Sequence, residues 1–246
     1  MRLPARHHTG QGPAERAAEP PFRSLFLSLA ADAARLGRLE TLEVLAGGGL
    51  TAAVVKSHDV ELKRRAVSDQ KLEAALDGGE ILGGGTVQIG GALVAYVLGR
   101  TIHRPAAAIV GAELFRAQLL SGGLTQALKF SVGRRRPDGA RYSFPSGHAS
   151  ASFATAAVLE RRWGWRVGVP AYGAAAYVAA SRLSENRHYA SDVAFGAALG
   201  IVAGRAVTLR HGTRSWSAAP YVSRDGRGVM FTMVARAGGR GVRRAP

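Results

Sequence analysis

Helical periodicity is the feature of this sequence that most restricts its fold. Apolar residues recur at spacings of three and four through successive segments, which is the pattern of helices that bury one face. Alanine and glycine supply much of the apolar fraction, and aromatic residues make up only 7% of the chain, a mixture that favours closely packed helices. We therefore predict an all-α bundle with helices over about 22–36, 39–56, 59–76, 81–99, 106–130, 149–162, 168–182 and 190–210.

Joints that contain glycine or proline interrupt this pattern and indicate how the chain is organised. With 246 residues, the chain is long enough for one domain with a short appendage. Residues 1–21 are rich in proline, glycine and charge and are predicted to be a disordered leader, whereas 22–210 are predicted to form the helical domain. Joints are expected at Gly47–Gly49, Arg104-Pro105 and Pro137–Gly139.

The last segment, 211–246, has a different pattern. Two apolar-rich stretches, Ala219–Val222 and Gly228–Ala235, flank Asp225-Gly226. This dipeptide is a strong signal for a hairpin turn. We therefore predict a short C-terminal β-hairpin within an otherwise basic tail.

The positive charge of the chain indicates an anionic ligand. The formal net charge is +16, and nine arginines face one acid, Asp225, from Arg205 onward. Such a balance attracts phosphate in nucleic acid, in lipid headgroups or in a small substrate. No DNA- or RNA-binding signature accompanies the charge, so we expect no nucleic-acid partner. The basic tail is either solvated or in contact with an anionic membrane surface.

The absence of cysteine excludes one group of sites. The chain can form no disulfide, no thiolate metal site and no cysteine nucleophile. Because a chain without cysteine suits both reducing and oxidising surroundings, this absence does not indicate a compartment.

The longest uncharged stretch, Ile81 to Gly99, does not decide whether the chain enters a membrane. It has almost the length of a spanning helix but contains six glycines and Gln88. Two further apolar stretches, Val167–Ser181 and Val193–Gly204, are too short to span alone. We favour a folded bundle that touches the membrane from one side, with an integral membrane protein as the alternative.

A first cluster of candidate binding residues is Lys129 followed by Arg136-Pro137. Lys129 is predicted near the end of a helix, and Arg136 in the extended conformation that precedes proline. A lysine supplies a compact charge, and an arginine supplies a planar fork for two phosphate oxygens. By itself, the run 134–136 of arginines also fits a solvated basic turn.

A second cluster, Pro145-Ser146-Gly147-His148, precedes a predicted helix. Small residues at a helix N-terminus direct free backbone N–H groups towards an anion. Ser146 can add its hydroxyl, and Gly147 permits close approach of the backbone. His148 would then lie beside the anion, where an imidazolium can donate a proton. The alternative is an ordinary helix cap with a histidine next to it.

The third cluster is Ser181-Arg182, His188 and Asp192. Since His188 and Asp192 are four residues apart, they would share one face of a helical turn. The carboxylate could then accept a hydrogen bond from Nδ1–H, which leaves Nε2 of His188 free for attack. A surface His–Asp pair is the simpler alternative. No metal site is predicted, because the nearby acids are few and scattered.

Together, in order and position, the three clusters resemble the signature of the type 2 phosphatidic acid phosphatase family. Its superfamily includes bacterial non-specific acid phosphatases and vanadium-dependent haloperoxidases. The resemblance is strict over 129–192 and implies a helical bundle with the site between helix ends. The residues that it assigns to phosphate binding are Lys129, Arg136, Ser146, Gly147 and Arg182. It also implies that His188 is the nucleophile, His148 the general acid and Asp192 the orienting carboxylate.

The activity expected from this resemblance is hydrolysis of phosphate monoesters through a phosphohistidine, without a metal or other cofactor. The substrate would be a phosphorylated small molecule, a lipid or an isoprenoid. One alternative is a haloperoxidase with vanadate as cofactor, because vanadate resembles the phosphoryl transition state. Another is a catalytically silent protein that binds anionic lipid. We expect the protein at the bacterial cell envelope, on its periplasmic or outer face.

Overall fold

The computed structural model describes residues 20–68, 70–208, 214–223 and 226–235. One compact unit ends at Thr208, and a second unit follows it. A 3₁₀ turn, Arg35–Gly37, continues the first helix. The helices of the first unit are α1 Ser24–Ala34, α2 Leu39–Lys56, α3 Asp59–Ser68, α4 Gln70–Leu76, α5 Gly79–Gly83, α6 Gly85–Thr101, α7 Pro105–Val132, α8 Gly147–Trp163, α9 Trp165–Ser184 and α10 Ala190–Val207.

The predicted helices are present, but several bounds differ. The predicted joint at Gly47–Gly49 is wrong, because these residues lie inside α2. The helix predicted over 59–76 corresponds to α3 and α4, with Asp69 between them outside the described residues. The helix predicted over 81–99 is interrupted at Gly84, whose extended backbone separates α5 from α6. Residues 1–19 of the predicted leader lie outside the described part of the chain.

A row of glycines brings α10 against α8. Gly196, Gly200 and Gly204 recur at every fourth position, and a Cβ atom on any of them would lie 2.2–2.6 Å from a backbone oxygen of α8 or of its N-cap. No side chain tolerates such a distance, so glycine is required for this approach of two backbones. The two helices run parallel, and the Ser146 N–H donates to the Asp192 carbonyl at 3.0 Å. The second and third sequence clusters are therefore joined by a backbone hydrogen bond.

The centre of the bundle is built from small apolar side chains of α7, α8 and α10. The glycines inside α2 have a related role, since a Cβ on Gly48 would lie 2.2 Å from Cβ of Ala198 on α10. This close contact explains why the sequence pattern of a joint is found within a helix. The buried residues of the largest core cluster are Ala117, Leu120, Ala154, Val158, Ala203, Ala206 and Val207.

A buried ion cluster ties α1, α7 and the C-terminal end of α10 together. The Asp32 carboxylate is 1% exposed and pairs with Arg35 at 2.6 Å and with Arg116 at 2.7 Å. The same two guanidinium groups donate to the carbonyls of Ala206 and Val207, both at 3.2 Å. Because α10 rises by 1.5 Å per residue, this cluster lies roughly 20 Å along the bundle from the N-terminal end of α10.

The second unit contains the predicted hairpin. Strands β1 Arg214–Ser223 and β2 Gly226–Ala235 pair antiparallel, with Ser223 opposite Gly226. Both strands are longer than the sequence pattern predicted. Asp225, on which the prediction of the turn rested, lies outside the described residues.

One helix of the described residues, α10, is long and apolar enough to cross a membrane by length and composition. The helix pair Glu73–Gly83 and Gly85–Thr101 is bent, and it meets the same criterion only if its two helices form one span. Since 67% of α10 is buried inside the bundle, its composition is also that of a core helix.

Candidate active site

The three sequence clusters meet at one end of the helical unit. Lys129 lies in the last turn of α7, and Arg136 lies in the loop that follows. His148 is in the first turn of α8, Arg182 in the last turn of α9, and Asp192 in the first turn of α10. The structure therefore assembles residues from four helix ends, as predicted for a site between helices.

The N-terminus of α8 is capped from within the second cluster. Ser146 is the N-cap residue, and its Oγ accepts the Ala149 N–H at 3.4 Å. Gly147 is the first helical residue, so α8 begins two residues earlier than predicted. A Cβ on Gly147 would meet Cγ2 of Thr125 at an ordinary 3.7 Å. The packing of the protein itself therefore does not require glycine here, in contrast to the glycines of α10.

His148 is half-buried between α5 and α9. A Cβ on Gly83 would lie 3.0 Å from Cδ2 of His148 and 2.3 Å from Val178, so the glycine makes room for the imidazole. Burial, followed by the charges of Arg182 and His188, lowers the pKa of His148 to about 4. In the ligand-free protein the imidazole is thus neutral near pH 7.

Lys129 and Arg182 bring buried positive charge to the site. The Lys129 side chain is 8% exposed, and its Nζ donates to the Tyr142 carbonyl at 2.6 Å. Burial, with a smaller effect of Arg136, lowers the pKa of Lys129 to about 8. Arg182 is 2% exposed, donates to Ser181 and forms an ion pair with Glu185.

Several buried polar atoms at this end of the bundle have no hydrogen-bond partner among the described residues. They belong to residues in or beside the three clusters and are Nε of Arg136, Nδ1 of His188, Oγ1 of Thr125 and Oδ1 of Asn186. Two such atoms lie elsewhere, on Glu113 and Ser152. Because buried polar groups in native proteins are nearly always paired, this concentration is typical of a site that receives a polar ligand.

The predicted hydrogen bond between His188 and Asp192 is absent. His188 lies just before α10, not within it, and its Nδ1 is 3.9 Å from Oδ2 of Asp192, beyond hydrogen-bond distance. That oxygen instead accepts the Ser143 hydroxyl at 2.5 Å and the Tyr189 N–H at 3.0 Å. The prediction treated Asp192 as a free carboxylate, whereas it also caps α10.

The two members of this pair titrate under opposite influences. Burial, helped by the charges of Lys129 and Arg136, lowers the pKa of His188, and Asp192 opposes this shift. For Asp192, burial alone would raise the pKa, but the interaction with His188, hydrogen bonds from Ser143 and Tyr189 and the charge of Arg134 keep it below the usual value. The structure therefore holds a neutral imidazole beside an ionised carboxylate near pH 7.

Sequence reasoning missed two residues of this site. Arg134, which fits a solvated basic turn by sequence, donates to Asp192 Oδ1 at 2.6 Å and pairs with Asp59 at 2.8 Å. Asp59 lies at the start of α3 and is 3% exposed. No spacing in the sequence connects Asp59 to the clusters, because its partners are 75 and 132 positions further along the chain.

Comparison with known sequences points to one family. The chain matches the sequence model of the PAP2 superfamily over residues 110–216, a range that holds all three clusters. It is 46% identical to the lipid A 1-phosphatase of Porphyromonas gingivalis over 89 residues, which are 35% of this chain and 20% of that protein. It is 27% identical to the lipid A 4'-phosphatase of Helicobacter pylori over 128 residues, 47% of this chain and 65% of that protein. The chain therefore spans less than two thirds of the length of these curated relatives.

A solved structure has a similar fold. The transmembrane PAP2 type phosphatidylglycerolphosphate phosphatase of Bacillus subtilis superposes with a TM-score of 0.53 at 22% sequence identity. The superposition covers 75% of this chain and 92% of that one. This likeness confirms the predicted all-α fold class.

Proposed function

We propose that the chain is a lipid phosphate monoester phosphatase of the PAP2 superfamily, whose sequence model it matches over residues 110–216, and that it acts without a metal through a phosphohistidine. The observation that carries the proposal is the convergence of three cationic side chains and two histidines on the N-terminus of α8. The two curated relatives, both phosphatases of lipid A, support the choice of a lipid phosphate.

The site is suited to a phosphate dianion. Lys129 and Arg182 are held in place by hydrogen bonds that leave other N–H groups available, and Nε of Arg136 has no partner among the described residues. The free N–H groups at the start of α8 add the positive end of a helix dipole. These donors would neutralise the non-bridging oxygens as charge redistributes in the transition state.

In the first chemical step, Nε2 of His188 would attack phosphorus. The N–P bond forms as the ester P–O bond breaks, and His148 donates its proton to the leaving alkoxide. Although the pKa of His148 is about 4 without ligand, a bound dianion stabilises the imidazolium, because an opposite charge nearby favours the charged form. Substrate binding would therefore prepare the general acid.

In the second step, water would attack phosphorus of the phosphohistidine. The neutral His148 takes a proton from the water, the N–P bond breaks, and the electron pair returns to Nε2 of His188. Inorganic phosphate leaves, and both histidines regain their starting state once the proton of His148 is released.

Asp192 would orient His188 and stabilise its positive charge. The present separation of 3.9 Å must shorten by about 1 Å for a hydrogen bond to form. Catalytic hydrogen bonds are often long in ligand-free structures and tighten when substrate binds. The positive charge that develops on the imidazole during attack supplies the attraction for this movement.

Exposed apolar side chains support a lipid environment. They lie on one face of α2 and on α6, two helices without formal charge over most of their length. Apolar surface of this extent commonly marks contact with a membrane or a partner. We propose that these side chains contact bilayer lipid; they are Leu42, Leu50 and Val54 on α2 and Val87, Val94, Val97 and Leu98 on α6.

The test is phosphate release from a lipid monophosphate in mixed micelles and from an aryl phosphate. His188→Asn is expected to abolish both activities, whereas the matched His103→Asn variant, at an exposed position, keeps them. Activity should survive chelation, and vanadate should inhibit competitively. Loss of activity on chelation that magnesium or zinc restores would contradict the metal-independent mechanism, and absence of turnover in the unmodified protein would contradict the phosphatase itself.

A further inference from the structure

Asp59 contacts the third cluster although it belongs to none of the three. Its Oδ1 accepts the Ser191 N–H at 2.9 Å, and its Oδ2 accepts the Ser191 hydroxyl at 2.6 Å. A carboxylate at this position caps the N-terminus of α10 from another helix. Lys63, one turn later on α3, donates to the Pro137 carbonyl at 3.1 Å. The start of α3 is therefore fixed against both the first and the third cluster.

Arg134 connects Asp59 to the candidate catalytic carboxylate. Its Nη2 pairs with Asp59 Oδ2 at 2.8 Å, and its Nη1 pairs with Asp192 Oδ1 at 2.6 Å. Nη1 also donates to the Ser191 hydroxyl at 2.8 Å, and the guanidinium stacks 4.2 Å from the centre of the Tyr189 ring. The guanidinium is thus fixed on several sides, with a buried aspartate at each end.

We propose that Asp59, acting through Arg134, is a positioning residue that keeps Asp192 oriented and electrostatically active towards His188. The inference rests on the phosphatase function proposed above. With Arg134 alone, Asp192 would form a neutral ion pair and would stabilise an imidazolium poorly. The second carboxylate returns the net charge of the group to −1, so the cation fixes Asp192 without cancelling its charge.

The electrostatic role is separable from a purely structural one. A structural brace would change stability and the amount of folded protein, but not the pH at which His188 gains a proton. The charged and titratable groups that face His188 are Asp192 on α10, Lys129 on α7, Arg136 in the next loop and His148 on α8. A substitution at Asp59 or Arg134 replaces none of these side chains and acts on His188 through Asp192, which Arg134 contacts directly.

The experiment measures the rate of phosphoenzyme formation against pH, with an aryl phosphate whose leaving group needs no protonation. The acid limb of this profile reports protonation of His188, because only the neutral imidazole attacks. Asp59→Asn makes the Asp59–Arg134–Asp192 group neutral and should move the acid limb of the profile to lower pH by roughly one unit. Arg134→Gln gives the same group a charge of −2 and should move the acid limb to higher pH. The double variant restores −1, and its limb should return towards that of the unmodified protein.

The rate constants provide a second readout. Neither residue touches the phosphate site, so Asp59→Asn should lower kcat roughly 10–100-fold, as outer partners of catalytic groups do, with KM nearly unchanged. Asp59→Glu retains the charge and should recover part of the rate.

Asp32→Asn is the matched control. Asp32 is, like Asp59, a buried aspartate in an ion cluster; it pairs with two arginines and lies at the other end of α10. This variant should lose stability as Asp59→Asn does and keep the acid limb in place. Equal profiles for all variants, with changes only in stability, would overturn the inference. If Asp59→Asn does not fold, the shift of the acid limb to higher pH in Arg134→Gln tests the inference instead. If the unmodified protein forms no phosphoenzyme, the proposed function is contradicted and not this inference.

Discussion

The Nδ1 atom of His188 lies 3.9 Å from Oδ2 of Asp192, close enough for electrostatic interaction and too far for a hydrogen bond. The carboxylate is held by Ser143, Tyr189 and Arg134, so the imidazole is the partner that has to move. In the mechanism proposed above, the imidazole of His188 would therefore have to approach Asp192 when substrate binds.

The general acid can be tested by varying the leaving group. His148→Ala should slow hydrolysis of an alkyl phosphate by roughly 100-fold or more, because its alkoxide leaves poorly without a proton. With a nitrophenyl ester the first step should be nearly unaffected, and phosphoenzyme should accumulate since its hydrolysis also uses His148. Rapid-quench trapping measures this. Equal rate losses for both esters would contradict the assignment.

The charge of Lys129 predicts the alkaline side of the pH profile. With a pKa of about 8, the side chain is positive below that pH and loses its charge above it. KM for a phosphate ester should therefore rise as the pH passes through about 8. Lys129→Arg keeps the charge and should move this rise to a higher pH. An unchanged alkaline limb in this variant would show that another group titrates there.

The contact between α8 and α10 predicts a difference between two glycines. Gly200→Ala places a methyl group 2.2 Å from the Ser150 carbonyl oxygen and should lower the free energy of unfolding by about 1–3 kcal/mol. Gly173→Ala, on α9 with no atom within 4 Å of the new Cβ, should raise it by up to about 1 kcal/mol. Denaturant unfolding of both variants checks the prediction, and a loss at both positions would argue against the close contact as its cause.

The exposed apolar faces predict how the protein leaves a membrane. It should remain in the membrane pellet through a high-salt wash and be released by detergent, because burial of apolar side chains is not screened by salt. The paired substitution Leu50→Glu and Val94→Glu should increase the soluble fraction, and Glu40→Gln is the control on the same helix. Complete release by salt alone would instead favour binding through the basic residues after Arg205.

Much of the fold could be predicted from the sequence, because helical period, prolines and glycine turns are local signals. The interruption at Gly84 could not be predicted, and the joint expected at Gly47–Gly49 was wrong although the helix predicted over 39–56 is present. Glycine weakens a helix by itself, and whether the helix continues depends on what packs against it. For Gly48 this is Ala198, about 150 positions away, and no local pattern contains that contact.

The same distinction applies to the site. Lys129, His148 and Asp192 lie in segments with fixed spacing, and the structure brings them together as expected. Asp59 and Arg134 form ion pairs across the fold, and only the tertiary structure reveals them. The predicted His188–Asp192 hydrogen bond was wrong partly for the same reason: besides the nearby Tyr189 N–H, Oδ2 of Asp192 accepts the Ser143 hydroxyl, which comes from another part of the chain.

The glycine row of α10 limits how the site can change. Gly196, Gly200 and Gly204 seat the helix against backbone atoms at intervals of one turn, so α10 can slide along α8 only in steps of about 6 Å. A smaller slip would press residues that carry a Cβ atom onto these backbone oxygens. The spacing between the start of α8, which carries His148, and the start of α10, which follows His188, is consequently fixed by this contact. Adaptation to a new leaving group is therefore expected in the side chains around the site and not in the spacing of these two helices.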